Sequence, residues 1–120
     1  MKPLTGLKVL DFTRVLAGPY CTAMLAESGA DVIKIEPPAG DDYRGIGPFL
    51  QDGTSSLFEK VNCGKRSITL DLAHVADRAI ALTLATEADI LVENFRPGVA
   101  DKLGIGFEAL SKLNPKLIYT

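Results

Sequence analysis

The chain alternates short apolar, β-prone runs with longer segments that suit helices, and few folds accept that order. The predicted strands are Leu7–Phe12, Asp31–Glu36, Ser67–Leu72, Ile90–Phe95 and Leu117–Thr120. Because a strand, a helix and a further strand form a right-handed crossover between parallel strands, this order predicts an α/β fold with an open parallel sheet and flanking helices. Ligands bind such sheets beyond the carboxyl ends of the strands, so we expect function in the loops that follow them.

Helices are predicted between these strands, over Tyr20–Ser28, Val75–Ala88, Val99–Leu103 and Phe107–Leu113. In the first helix, the helical period predicts one packing face made of Cys21, Met24, Leu25 and Ser28. In the second, the same period predicts a packing face made of Ala76, Ile80, Leu84 and Ala88.

Residues 37–62 carry no hydrophobic period and contain repeated glycine, proline and aspartate. They predict a long loop, with a short helix over Ser55–Val61. A loop of this length inside a compact domain is usually functional or mobile, and both readings stay open at this point.

Composition and charge exclude several classes of protein. The 120 residues are 47% hydrophobic and 23% charged, as in one soluble globular domain. The net charge of −2 argues against a general nucleic-acid surface, so any anion site must come from locally placed lysine and arginine. No window is long and apolar enough to span a membrane, so we expect no membrane partner.

The cysteines and the two ends of the chain suggest where the protein works. Cys21 and Cys63 match no disulfide framework and no metal-binding spacing, which predicts a reducing, cytoplasmic location. The first residues carry no secretory signal. The last residues, Leu117–Thr120, are apolar and β-prone, whereas domains usually end in polar residues, so we expect the chain to be part of a longer unit.

Familiar catalytic and phosphate motifs are missing from the sequence. No GxGxxG follows the first strand, and Gly64–Ser67 lacks the residues of a P-loop and precedes a strand instead of a helix. His74 is the only histidine, and neither a catalytic triad nor a metal-ligand set can be assembled around it. We therefore expect no metal site.

Single charged residues near the strand ends each allow two interpretations. Arg14 is either a clamp for phosphate or carboxylate, or a solvated charge on a loop. The pair Lys65 and Arg66 either meets a phosphate or holds the preceding loop, and the structural role is favoured. Asp11 is either catalytic or, as is commoner for a lone aspartate, an acceptor for backbone N–H groups of the next loop.

The loop Asn94–Gly98 carries the most informative residues. Asn94 offers an amide that can donate and accept, Phe95 offers a flat surface for a purine, and Arg96 offers a charged fork for phosphate. Pro97 and Gly98 turn the chain into the next helix, whose start favours anions. The loop predicts a grip for a nucleotide, and the alternative is a tight turn with a core phenylalanine.

Five sequence blocks together resemble the family III coenzyme A transferases of the CaiB/BaiF type. They are LTGLKVLDFTRVLAGP at Leu4–Pro19, GADVIKIEPP at Gly29–Pro38, NCGKRSITLDL at Asn62–Leu72, VENFRPG at Val92–Gly98 and LNPKLIY at Leu113–Tyr119. Formyl-CoA transferase and carnitine CoA-transferase belong to this family, as does the related α-methylacyl-CoA racemase.

The resemblance implies that the chain is the N-terminal part of a Rossmann-like domain in a larger two-domain subunit, which forms an interlocked homodimer. It implies an enzyme that moves CoA between an acyl-CoA and a carboxylic acid, with CoA as substrate and no covalently bound cofactor. The nucleophile is an aspartate beyond Thr120 that passes through an aspartyl anhydride. An α-methylacyl-CoA racemase and an inactive CoA-binding fragment are the alternatives.

The resemblance also implies which residues bind CoA. They are Val15, Leu16 and Ala17 after the first strand, Leu70, Asp71, Leu72 and Ala73 after the third, Asn94, Phe95 and Arg96 after the fourth, and Lys102 in the helix that follows. Two positions depart from formyl-CoA transferase: Pro37 stands where that enzyme has arginine, and Ala73 where it has lysine. Both differences remove positive charge from the expected CoA site.

Overall fold

A computed structural model describes residues 1–120, and its five strands form one parallel sheet. The strands are β1 (Lys8–Asp11), β2 (Asp31–Glu36), β3 (Arg66–Thr69), β4 (Ile90–Val92) and β5 (Ile118–Tyr119). Their order in the sheet is β3-β2-β1-β4-β5, and every neighbouring pair is parallel. The predicted α/β fold with an open parallel sheet is confirmed.

The helices follow the predicted order. They are α1 (Ala17–Glu27), α2 (Ser56–Asn62), α3 (Val75–Glu87), α4 (Val99–Lys102) and α5 (Phe107–Leu113). The long loop contains a 3₁₀ turn at Asp42–Gly45 and ends in α2, where the short helix was predicted. None of the helices combines the length and the apolar composition needed to cross a bilayer.

The apolar core lies on both faces of the sheet because successive strand residues point in opposite directions. Leu10 and Leu91 face α3 and α5 in the larger cluster, which also buries Ile105 and Leu110. Val9 and Val32 face the opposite side, where the end of α1 covers them. The central strand β1 therefore holds the two layers together.

The packing face predicted for α1 is wrong except at Leu25, which packs against the cluster that holds Val9 and Val32. Cys21 and Met24 are exposed, Leu25 and Ser28 are half-buried, and the buried positions are Gly18, Pro19, Thr22 and Ala23. The reason is steric and polar. A Cβ at Gly18 would overlap the side chain of Thr13, so the helix start approaches β1 through a glycine, and Thr22 is drawn inward by a buried carboxylate described below.

The packing face predicted for α3 is also partly wrong. Ala76 and Ile80 are exposed, whereas Ala81 and Ala85 are buried and Ala88 just after the helix is buried as predicted. Small alanines let α3 lie close against the sheet, so the contact follows residue size and not hydrophobicity alone.

Two predicted strands end earlier in the structure than in the prediction. The β3 ladder stops at Thr69 instead of Leu72, and the β4 ladder stops at Val92 instead of Phe95. Of the residues beyond these ladders, Leu70–Leu72, Asn94 and Phe95 line the cavities at the carboxyl edge of the sheet.

Candidate functional site

Two cavities open side by side at the carboxyl edge of the sheet. The first, of about 180 Å³, lies over the ends of β1, β2 and β3, and is lined by Phe12, Arg14, Ile35, Pro37, Leu70, Asp71, Leu72, Ala73, Phe95 and Leu103. The second, of about 590 Å³, lies between the loops after β1 and β4, and is lined by Arg14, Val15, Leu16, Ala17, Asp42, Asn94, Phe95, Arg96 and Val99. Arg14 and Phe95 border both cavities.

The residues that were predicted to bind CoA are divided between these two cavities. Leu70, Asp71, Leu72 and Ala73 line the first, which we call the apolar slot. Val15, Leu16, Ala17, Asn94 and Arg96 line the second, which we call the open cavity, and Phe95 belongs to both. Lys102 lines neither and is exposed on α4.

Arg14 is the residue whose importance the sequence did not decide. Its guanidinium carbon lies 5.7 Å from the centroid of the Phe95 ring, within the range of a cation–π contact. It is the only cationic residue that lines the apolar slot, because Pro37 and Ala73 supply no charge there. The sequence around Arg14 could not indicate this contact, because Arg14 lies in the loop after β1 and Phe95 in the loop after β4.

The side chain of Asn94 is used to hold Arg14. The backbone N–H of Arg14 donates to Asn94 Oδ1 at 3.0 Å, and Asn94 Nδ2 donates to the carbonyl oxygen of Arg14 at 2.9 Å. One amide therefore fixes both sides of the Arg14 residue and joins the loop after β1 to the loop after β4. Contact between Asn94 and CoA remains a prediction.

The backbone at Val15 is strained and held by a buried acid. Val15 has a φ of +69°, in the left-handed region that β-branched residues seldom adopt. Its N–H donates to Asp41 Oδ1 at 3.0 Å. Burial by itself raises the pKa of Asp41, but the adjacent charge of Lys34 and the hydrogen bonds from the N–H groups of Tyr43 and Val15 outweigh it, and the pKa lies below its usual value.

Lys34 lies behind this loop and touches it at a second point. Its Nζ donates to the carbonyl oxygen of Thr13 at 2.8 Å and lies 2.8 Å from Asp41 Oδ2. The contact with Oδ2 lacks the alignment of a hydrogen bond, so charge alone pairs that oxygen. Both side chains are only 1% exposed. The charge of Asp41 thus compensates the burial of a lysine in the middle of β2.

Asp11, at the end of β1, is the centre of a second buried polar cluster. Its carboxylate accepts from the N–H of Thr13 at 2.9 Å, from the Thr13 hydroxyl, and from Thr22 Oγ1 at 2.6 Å. Lys65 Nζ lies 2.9 Å from Asp11 Oδ2 and also donates to Pro19 O at 2.9 Å and to Asn62 Oδ1 at 2.8 Å. The structural interpretation of Asp11 is confirmed. Lys65 is also structural, but it ties β1 to the start of α1 and bonds only Asn62 of the preceding segment.

Burial affects the protonation of the Lys65 amine. Removal from water is the largest influence on its pKa and lowers it, and the charge of Asp11 works in the opposite direction. Arg66, the next residue, instead pairs with Asp31 on the surface at 2.6 and 2.9 Å.

The turn into α4 matches the prediction, but the helix that follows is short. Gly98 has a φ of +83° and is the capping residue immediately before α4, which has four residues. So short a helix has a small dipole, and the expected attraction of anions to its start is weak. Arg96 in the open cavity is therefore the main positive charge that this loop offers.

Other reactive side chains lie apart from the cavities. His74 is exposed at the start of α3, with Nδ1 3.4 Å from Asp71 Oδ2. Cys21 and Cys63 are free and exposed. No group of three or more histidine, cysteine, aspartate or glutamate side chains could hold a metal ion.

Comparison with known proteins connects this geometry to one family. The chain is 53% identical over 118 residues to an acetyl-CoA:oxalate CoA-transferase of Acetobacter aceti, which covers 98% of the chain and 30% of the relative. It is 49% identical over 124 residues to a succinyl-CoA:mesaconate CoA-transferase of Haloarcula hispanica, covering 100% of the chain and 31% of the relative. The chain thus spans about three-tenths of the length of these relatives.

A solved structure also matches this chain over nearly its whole length. A CaiB/BaiF family protein from Brucella suis superposes with a TM-score of 0.92 at 45% identity, covering 98% of this chain and 32% of that one. The sequence model described as CoA-transferase family III matches residues 4–120. Nearly the whole chain takes part in that match, and the chain belongs to CoA-transferase family III.

Proposed function

We propose that this chain is the CoA-binding part of an enzyme that transfers CoA between an acyl-CoA and a carboxylic acid. The observation that carries the proposal is the pair of cavities that meet at Arg14 and Phe95. An apolar slot beside a wider cavity with two arginines suits a ligand that has an aromatic base at one end and phosphates next to it.

The chemistry of the linings assigns the parts of CoA. The adenine ring enters the apolar slot, between Leu70–Ala73 on one side and the edge of Phe95 on the other. The phosphates lie where the two cavities meet, within reach of Arg14 and Arg96, whose planar forks suit phosphate oxygens. The pantetheine arm leaves through the open cavity past Val15–Ala17.

The transfer itself uses a nucleophile outside this chain. A carboxylate of the larger subunit attacks the acyl-CoA carbonyl, the C–S bond breaks, and a mixed anhydride and CoA thiolate result. The thiolate then attacks the enzyme carbonyl of the anhydride, giving an aspartyl-CoA thioester and the free acid. The acceptor acid repeats these two steps in reverse and leaves as its CoA thioester. The residues described here hold CoA in place while its thiol end changes partners.

The proposal also covers the oligomeric state and the cellular location of the enzyme. The chain is one part of a two-domain subunit that forms an interlocked homodimer and works in the cytoplasm. Transfer is favoured over racemisation because similar relatives are named acetyl-CoA:oxalate, succinyl-CoA:mesaconate and succinyl-CoA:glutarate CoA-transferases.

Calorimetry with CoA tests the binding site in the full-length protein that carries this chain. Arg96→Ala should weaken CoA binding by about 1.5–3 kcal/mol, or roughly 10- to 150-fold, because it removes charged hydrogen bonds to phosphate. Lys102→Ala tests the remaining predicted contact. Lys112→Ala, an exposed lysine of α5 away from both cavities, is the matched control and should change the affinity little.

An exchange assay tests the reaction. Full-length protein is incubated with acetyl-CoA or succinyl-CoA and a panel of labelled dicarboxylic acids, and label should appear in a new CoA thioester. No transfer to any acid, together with wild-type CoA affinity for Arg96→Ala, would show that the proposed function is wrong. Exchange of an α-proton in D₂O without transfer would indicate a racemase instead.

A further inference from the structure

The proposed CoA-binding loop after β1 depends on buried groups that the transfer chemistry does not use. The backbone of Thr13–Val15 makes a left-handed turn at an exposed β-branched residue. Exposed loops seldom keep such a conformation unless surrounding contacts enforce it. The contacts that enforce it here come from the Asn94 amide, which bonds both backbone groups of Arg14, and from Lys34 and Asp41, which lie beneath the loop.

Lys34 and Asp41 hold the turn at both of its ends. Lys34 Nζ donates to the Thr13 carbonyl at 2.8 Å, and Asp41 Oδ1 accepts from the Val15 N–H at 3.0 Å. Asp41 is itself fixed, since its own N–H donates to Glu36 Oε2 at 3.0 Å and its Oδ1 also accepts from the Tyr43 N–H at 3.0 Å. The turn is thereby tied to the end of β2.

We infer that Asp41, with Lys34 as its charge partner, is a positioning residue for CoA, because it holds Val15 in the left-handed turn that shapes the wall of the open cavity. This inference rests on the proposed function, since it assumes that CoA occupies that cavity. Asp41 itself lines neither cavity, so it acts through the backbone of Val15. Val15 and Leu16, which do line the open cavity, are the residues it places.

The alternative is that the pair only stabilises the fold. A buried ion pair replaced by apolar residues of similar size often leaves stability nearly unchanged, whereas removal of one partner leaves an uncompensated charge. Double substitutions therefore separate the two roles. Lys34→Met/Asp41→Asn removes both charges but keeps an acceptor oxygen for the Val15 N–H. Lys34→Met/Asp41→Leu removes both charges and that acceptor.

The test compares these two double variants in the full-length protein. We expect CoA to bind Lys34→Met/Asp41→Asn at least tenfold more tightly than Lys34→Met/Asp41→Leu by calorimetry, at similar melting temperatures. Hydrogen exchange of the peptide that contains Val15 should be faster only in the leucine variant. Equal CoA affinity of the two variants would overturn the inference.

A second pair of variants covers the case in which the double variants do not fold. Val15→Gly keeps the N–H and adopts a positive φ freely, whereas Val15→Pro removes the N–H and fixes φ near −65°. Both lose the same side chain and leave the buried pair intact. CoA should bind the glycine variant at least tenfold more tightly than the proline variant, and equal affinities would refute the role of the turn. Failure of the wild-type protein to bind CoA would instead refute the proposed function.

Discussion

Replacing Lys65 with methionine should destabilise the protein far more than the same change at Arg66, the next residue. Lys65 is 2% exposed and pairs with Asp11, which is fully buried, whereas Arg66 and its partner Asp31 are 65% and 48% exposed. The two substitutions remove one positive charge each and differ in the burial of the ion pair, and Lys65→Met also removes the bonds from Lys65 to Pro19 and Asn62. They are therefore a matched pair.

The contacts of Asp11 set the size of the effect. Removing one partner from a buried ion pair costs about 3–5 kcal/mol, because the remaining charge stays away from water. In Lys65→Met the Asp11 carboxylate keeps its bonds from Thr13 and from Thr22, which moderate the loss. We therefore expect a loss near the lower limit, about 3 kcal/mol, against less than 1 kcal/mol for the exposed pair in Arg66→Met.

Urea unfolding of the wild-type protein and both variants measures this difference directly. A further variant, Lys65→Met/Asp11→Asn, removes the orphaned charge and should be more stable than Lys65→Met alone. Equal losses for Lys65→Met and Arg66→Met would refute the reasoning. So would a double variant less stable than Lys65→Met, since the cost would then not arise from buried charge.

Further predictions concern close packing and pH. Gly18→Ala should destabilise the protein by about 1–3 kcal/mol, because the new Cβ would overlap the Thr13 side chain, whereas Gly45→Ala meets no atom within 4 Å and should change the melting temperature little. A bond from an arginine holds the pKa of Glu36 below its ordinary 4.5, and that of Asp41 also lies below its ordinary 3.8. Because both folded values lie below the unfolded ones, the stability that these acids contribute is complete above those ordinary values and is lost as the pH falls through the folded ones. Glu36→Gln should therefore flatten the dependence of the unfolding midpoint on pH between about 5 and 3, and an unchanged slope would contradict the assignment.

The order of strands and helices could be predicted because each depends on local pattern. The bounds of β2 and α5 agree with the prediction at both ends, and the sheet is parallel as the alternation required. Periodicity failed at the packing faces of α1 and α3. There the buried residues are glycine, threonine and alanine, which hydrophobicity ranks below the leucine and methionine that stay partly or largely exposed.

The sequence predicted most residues that line the candidate site, but it did not predict the contacts that hold those residues in place. Most predicted CoA residues line the two cavities because loops after parallel strands must meet at one edge. The hold of Asn94 on Arg14 joins residues eighty positions apart. The burial of Lys34 depends on an acid in the following loop. Such pairings leave no period or motif in a single sequence, so only the folded geometry reveals them.

The cluster around Asp11 also limits how this chain can change over evolutionary time. Thr13, Thr22 and Lys65 come from the loop after β1, from α1 and from the residue just before β3, and each bonds directly to the carboxylate of Asp11. An apolar substitution at any one of these positions leaves a buried polar partner without its hydrogen bond or its opposite charge. Sequence drift at these four positions should therefore be correlated, so that an ancestor which exchanged the acid for an apolar residue must also have exchanged the lysine. Exposed side chains away from both cavities, such as Lys112 of α5, carry no such linkage and are free to diversify one at a time.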